Sequence, residues 1–251
     1  MAFDFPDAPV TEVATSLGAV KLPIHYADGA SLLAFFWVDP AKAARRLDGT
    51  GLEPVRFPGG RALHGLAFYD YRETAIGPYH EVGSALTVQP AGAGASAADL
   101  LRRAGRRRVG FRILDLPVST GIADAAGREI WGYPKFVTQL PMRFEPGFFS
   151  GAVADPGGGE ILRLEGRAIW LLPMPSLDLV LYSHLAGRPL RTVVDVRAPT
   201  RIARGGFRLA LGSAHPMAET LRDLGLAGAR PFAVARCDGG FRARLHRGAP
   251  A

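Results

Sequence analysis

Apolar and polar residues alternate along most of the chain, in "GAVKLPIHY" (18–26), "RALHGLAFYDY" (61–71), "YHEVGSALTVQ" (79–89), "RRVGFRILDLPV" (107–118), "KFVTQLPMRFE" (135–145), "ILRLEGRAIWLL" (161–172), "LRTVVDVRAP" (190–199) and "FAVARCDGGFRARL" (232–245). A period of two sends successive side chains to opposite faces, so each segment predicts a half-buried strand. Short breakers separate them, and "DPGGG" (155–159) reads as a hairpin turn rather than a phosphate loop. The pattern predicts an antiparallel β-protein.

Helical periodicity is confined to a few places. "DPAKAARRL" has Asp39 as N-cap and Pro40 at the first helical position. "SAADLLRRAG" begins at Ser96, "STGIADAAG" starts at Ser119 or Thr120 and stops near Gly127, and "HPMAETLRDLG" runs from about His215 to Gly225. With no internal repeat and no clear linker, residues 1–251 read as a single α+β domain, mainly β, on a large closed or curled sheet.

Composition changes this picture little. No apolar run approaches the roughly 20 residues that span a bilayer; the nearest, "SLLAFFWV" (31–38), is strand length. The segment "MAFDFPDAPVTEVA" lacks a basic region followed by an apolar one, so a cytoplasmic protein is expected, without membrane partners. A single cysteine, Cys237, excludes an internal disulfide framework and a cysteine-built zinc site. The net charge of +7 and "RRAGRRR" (102–108) raise nucleic acid as a partner. The remaining arginines are scattered singly with no nucleic-acid motif, so none is expected.

Phosphate-loop, nucleophile-elbow and zinc-helix motifs are missing, and the histidines (His25, His64, His80, His184, His215, His246) form no ligand pair at short spacing. Neither a metal nor another cofactor is expected. What stands out is "GREIWGYPKFV" (127–137): of 30 basic residues only Lys21, Lys42 and Lys135 are lysines, and Lys135 sits between Pro134 and Phe136. Arginine supplies charge as well but cannot lose its proton. A desolvated lysine can, and its free amine condenses with a ketone or aldehyde to a Schiff base. Residue types alone leave open whether Lys135 has that role or lies on the solvent face of an ordinary strand. "GPYHEVG" (77–83) adds Glu81 on an alternating strand, either a partner for such a lysine or a strand-edge carboxylate facing water, with Val82 and then Ala85 or Leu86 as core residues.

In this order, "GPYHEVG" and "GREIWGYPK" resemble the acetoacetate decarboxylase family. The likeness extends over "VKLPIHYADG", "VDPAKAARRL…GLEP" and "ILDLPVSTGIADAAGREIWGYPKFV", that is, over most of residues 15–140. The resemblance implies a cone-shaped antiparallel β-barrel with peripheral helices, assembled as a homo-oligomer. It makes Lys135 the Schiff-base lysine and Glu81 the active-site glutamate, with Trp131, Tyr133, Phe136, Glu129 and Tyr79 around the substrate. Acetoacetate decarboxylase is itself the standard example of a lysine activated by desolvation or a neighbouring cation. The decarboxylases proper have a second lysine where this chain has Phe136, so desolvation alone would have to activate the amine. The second acid corresponds to Asp70 or Glu73, and the family's N-terminal arginine has no counterpart in "LPIHYADGASLL".

The expected activity is that of a lyase decarboxylating a small β-keto acid such as acetoacetate through an imine and enamine on Lys135. An aldolase, dehydratase or cyclase using a 2-oxo acid such as pyruvate through the same lysine is the alternative. A β-barrel that binds a small ligand without turnover is the non-enzymatic one.

Overall fold

The computed structural model describes residue 5 and residues 8–251, with residues 169–171 and 204–205 described by backbone alone. Residues 1–4 and 6–7, part of the segment read as lacking a leader, lie outside the described residues. The strands begin with β1 (Thr11–Thr15), β2 (Gly18–Leu22), β3 (Ile24–Val38), β4 (Leu52–Pro54), β5 (Ala62–Thr74), β6 (Tyr79–Pro90), β7 (Gly110–Val118) and β8 (Lys135–Val137). They continue with β9 (Met142–Glu145), β10 (Phe148–Ala154), β11 (Glu160–Met174), β12 (Leu179–Leu185), β13 (Arg188–Arg197), β14 (Thr200–Leu211), β15 (Ala233–Cys237), β16 (Arg242–Leu245) and β17 (Ala249–Pro250). The α-helices are α1 (Pro40–Arg45), α2 (Gly121–Trp131) and α3 (Pro216–Asp223).

Seven strands close into a barrel in the order β16-β13-β12-β7-β6-β5-β3, with β16 pairing back onto β3. The expectation of a purely antiparallel sheet is corrected at β7, along which two strands run parallel: β12, with Leu181 beside Phe111, and β8, with Lys135 beside Leu116. After β7 the chain enters α2 instead of turning back, so this strand is flanked by strands that arrive after the helix and run in the same direction, β8 at once and β12 later. From the β3 edge the sheet continues through β15, β14, β11, β10 and β9 and lays a second layer over the barrel. "DPGGG" joins β10 to β11 as the expected hairpin, Asp155 accepting from the Gly157 and Gly158 amides.

Burial is inverted relative to a filled barrel. On β3 the outward Leu32, Ala34, Phe36 and Val38 are buried, while the inward Leu33, Phe35 and Trp37 are only half-buried. The outward faces of β5 and β6, with Leu66, Phe68, Val82 and Leu86, pack against Phe149, Leu162 and Phe207 of the covering layer, and this is one of the two cores. Val82 and Leu86 are core residues as expected, whereas Ala85 faces the barrel interior. A barrel of about this size either fills its lumen or keeps room for one small ligand, and this one keeps room.

Two of the helical expectations change. "SAADLLRRAG" forms two short 3-10 turns (Ala97–Leu101 and Ala104–Arg106) instead of one helix. The carboxylate of Asp99 takes the Arg108 and Val109 amides at 2.7 and 2.9 Å, and buried Arg107 donates to the carbonyls of Arg102 and Asp178, bonds that compete with a helical ladder. The arginine run is thus split between an internal tie and exposed side chains. The second change is in α2, which passes through Gly127 and ends at Gly132. Asp39 and Pro40 start α1 as predicted. No helix among the described residues is long and apolar enough to cross a membrane.

Three adjacent outer-core residues carry a pH signature. His64 Nε2 lies 3.0 Å from Ser84 Oγ, and Ser84 faces Asp115 across the β6–β7 pair. Burial pushes the Asp115 carboxyl up to about 6, against the pull of Arg46, and the His64 imidazole down to about 3. A carboxyl raised on folding stabilises the protein below its unfolded value near 4, and that contribution is lost as pH rises to 6. A histidine depressed on folding does the reverse, its contribution being lost as pH falls from 6.5 towards 3. Asp115→Asn removes only the first slope. The stability difference, variant minus wild type, should therefore grow from pH 4 to 6 and level off above, reaching up to about 3 kcal/mol. Thermal melts across that range check it.

Candidate active site

Lys135 is positioned by the end of α2. Gly132 takes a left-handed conformation (φ 66°, ψ 29°) and donates its amide to the Arg128 carbonyl at 3.1 Å, an αL cap, while the Tyr133 amide reaches back to the Gly127 carbonyl at 3.0 Å. A Cβ on Gly132 would collide with the carbonyl of His184 on β12, so glycine is required there for space as well as for φ. Pro134 then delivers the chain to β8, which pairs in parallel with β7, Lys135 beside Leu116. The side chain of Lys135 runs over the helix at Gly127. A Cβ on Gly127 would overlap the Cδ and Cε of Lys135 and lie 3.2 Å from its Cγ.

Glu81 comes from β6, facing inward with Gly83 and Ala85. Lys135 Nζ donates to Glu81 Oε2 at 2.7 Å, and the two side chains are only 6% and 10% exposed. Tyrosines surround the pair. The Tyr71 hydroxyl is 3.5 Å from Glu81 Oε1, Tyr26 and Tyr79 share a hydrogen bond of 3.0 Å, and the Tyr79 ring centroid is 5.8 Å from Nζ. Burial, and secondarily the Glu81 charge, hold the Tyr71 phenol well above its ordinary value; for Tyr79, burial and then Tyr26 do the same. Both hydroxyls therefore stay protonated and serve as hydrogen-bond donors rather than bases. The pair opens on a cavity of about 140 Å³ in the barrel, whose walls are otherwise mostly apolar. Among the described lining residues, Lys135 is the only cation and Glu81 the only carboxylate.

A family model of acetoacetate decarboxylase (ADC) matches residues 7–170. The chain belongs to the acetoacetate decarboxylase family. Its fold is similar to acetoacetate decarboxylase from Legionella pneumophila (TM-score 0.67, 15% identity, 100% of this chain and 93% of that one covered). It is also similar to the enduracididine biosynthesis enzyme MppR complexed with pyruvate (TM-score 0.64, 18% identity, 91% and 90% covered). A third similar structure is an acetoacetate decarboxylase-like enzyme from Sphingomonas wittichii RW1 (TM-score 0.58, 17% identity, 91% and 92% covered). No protein of curated function matches the chain.

Within this family frame, the structure brings Lys135, Glu81 and Tyr133 to one cavity and leaves four other expected pocket residues off its wall. Phe136 follows Lys135 on a strand and so points the other way, into the outer core, its ring 5.0 Å from that of His215. Trp131 is buried behind Tyr133, stacked on it, and donates its indole N–H to the His246 carbonyl at 2.9 Å. Glu129 is exposed and accepts from the amide and hydroxyl of Ser16, tying the β1–β2 hairpin to α2. Tyr79 stands behind the wall, bonded to Tyr26. Asp70 faces outward to Arg72 and His80, and Glu73 is exposed, so neither is a second acid of the cavity. Tyr26, Tyr69 and Tyr71 were missed. The signal for two of them was present: Tyr69 and Tyr71 share a strand face, and the β5–β6 register sets them opposite Glu81 and Tyr79.

Proposed function

We propose that the protein is a carbon–carbon lyase that decarboxylates a β-keto acid through an imine on Lys135. The observation that supports this most is the enclosed Lys135–Glu81 pair at 2.7 Å, opening on an apolar cavity. Glu81 is within reach to take the ammonium proton. The free amine then attacks the ketone carbon, the carbonyl oxygen leaves as water, and an iminium remains. The bond to the carboxylate breaks, its electron pair moves into the iminium to give an enamine, and carbon dioxide departs. Protonation of the enamine carbon and hydrolysis release the ketone and restore the lysine. An apolar wall strips solvent from the substrate carboxylate, whereas the neutral product needs none.

The same wall disfavours a 2-oxo acid such as pyruvate. Such a substrate keeps its carboxylate throughout an aldol reaction and needs a lasting cationic partner, and apart from Lys135 no described lining residue supplies one. Phe136 does not separate the two chemistries, since it faces away from the cavity.

Borohydride reduction in the presence of 3-oxo acids tests the proposal. A reduced adduct mapped to Lys135 by mass spectrometry, with carbon dioxide and ketone released in equal amounts, is the expected result. Absence of any adduct across a panel of oxo-acids would sink it.

A further inference from the structure

From the cavity's shape and lining we infer that the substrate carries a hydrocarbon tail, so that the site takes a medium-chain 3-oxo acid rather than a small one. The inference rests on Lys135 as the imine-forming residue. The β5–β6 ladder shows how the space arises. Tyr69 faces Glu81, and the next two inward pairs along the same strands are Ala67 with Gly83 and Gly65 with Ala85. Four side chains no larger than methyl thus leave the lumen empty beside the reactive pair. A Cβ added at Gly65 would meet nothing within 4 Å. On the adjoining strand β3, Leu33 pairs with Ala67 and Phe35 with Gly65, and Phe111 and Leu181 line the cavity at its far end.

From the Glu81 row to the Ala85 row is four residues, about 13 Å at strand rise. That length accepts a chain of roughly six to ten carbons with C–C bonds near 1.5 Å. Acetoacetate would leave most of it unfilled. The missing guanidinium points the same way: with no arginine among the described lining residues to hold the substrate carboxylate, affinity has to come from burying the tail. Each buried methylene should raise kcat/KM roughly 4-fold until the lumen is full.

The test uses straight-chain 3-oxo acids of four to twelve carbons, with carbon dioxide release corrected for spontaneous loss. The expected result is kcat/KM rising with length, then falling once the tail outgrows the cavity. Gly65→Leu, which fills the space beside Ala85, should erase the gain for long chains, so that kcat/KM no longer rises with length; Ala67→Leu is the second plug if the first fails to fold. Straight-chain alcohols form no imine and report on the lumen alone. They should raise the melting temperature of the wild type with increasing length, and not that of the plugged variants. Lys135 adducts without chain-length dependence, together with no alcohol effect, would overturn the tail and keep the lysine chemistry. An alcohol effect without any Lys135 adduct would overturn the lysine chemistry and, with it, the assignment of a 3-oxo acid.

Discussion

Lys135→Arg is expected to abolish turnover and borohydride-dependent labelling together, leaving a folded protein with a melting temperature near that of the wild type. Arginine keeps a positive charge for Glu81 and can still hydrogen-bond to it, but its guanidinium stays protonated at any working pH and cannot attack a carbonyl. Carbon dioxide release should fall to the level of a protein-free control. Lys135→Met would be a poorer test. It strands Glu81, 10% exposed at its side chain, without the cation it accepts from, and breaking a buried pair from one side costs about 3–5 kcal/mol. Lost activity would then be confounded with lost stability. If Lys135→Arg still released carbon dioxide above background, a covalent lysine mechanism would be excluded, and Glu81 and the tyrosines would have to act on substrate by proton transfer alone.

The elements of this site differ in how legible they were. That Lys135 and Glu81 meet was one of two readings the residues left open, a rare lysine after a Gly-x-Pro turn and a carboxylate on an otherwise apolar alternating strand, and the family resemblance chose between them. The barrel was legible as a class because its strands alternate. What alternation does not say is which face is the packed one. Here the face carrying Leu32, Phe36 and Phe68 is sealed by a covering sheet, and the face carrying Leu33, Phe35 and Ala67 lines a cavity. Both faces are apolar, so hydropathy could not tell lumen from core. Phe136 was misplaced for a related reason. Adjacency in sequence suggests adjacency in space, whereas neighbours on a strand point apart. The parallel β12–β7 seam depends on pairing between segments some sixty residues apart, which no local pattern encodes.

Gly127→Ala should lower kcat roughly 100-fold while leaving the melting temperature unchanged or higher. Gly127 reads as a helix stop, and instead α2 continues for another turn to Trp131. In the interior of a helix, alanine is worth about 1 kcal/mol over glycine, so a structural account predicts a stabilised and fully active variant. The obstacle is the cavity-facing lysine. An alanine methyl would occupy the space now held by the Cδ and Cε of Lys135, and because those atoms belong to a flexible side chain, the lysine would give way rather than the fold. Its ammonium would then shift from the 2.7 Å contact while staying within ion-pair range of Glu81, and displacement of a reacting group by about 1 Å costs on the order of 100-fold. Three measurements distinguish positioning from a general loss of structure: the melting temperature, the rate of borohydride-dependent labelling at Lys135, and kcat separately from KM. The labelling rate and kcat should fall together, with KM little changed, since the cavity walls at Ala67, Gly83 and Phe35 are untouched. Unchanged labelling would mean that Nζ reaches its carbonyl without resting on the helix, and Gly127 would then be no more than a weak position in α2. A drop in labelling at constant or raised stability would mean that glycine is kept at this position, against helix propensity, to hold the lysine in place.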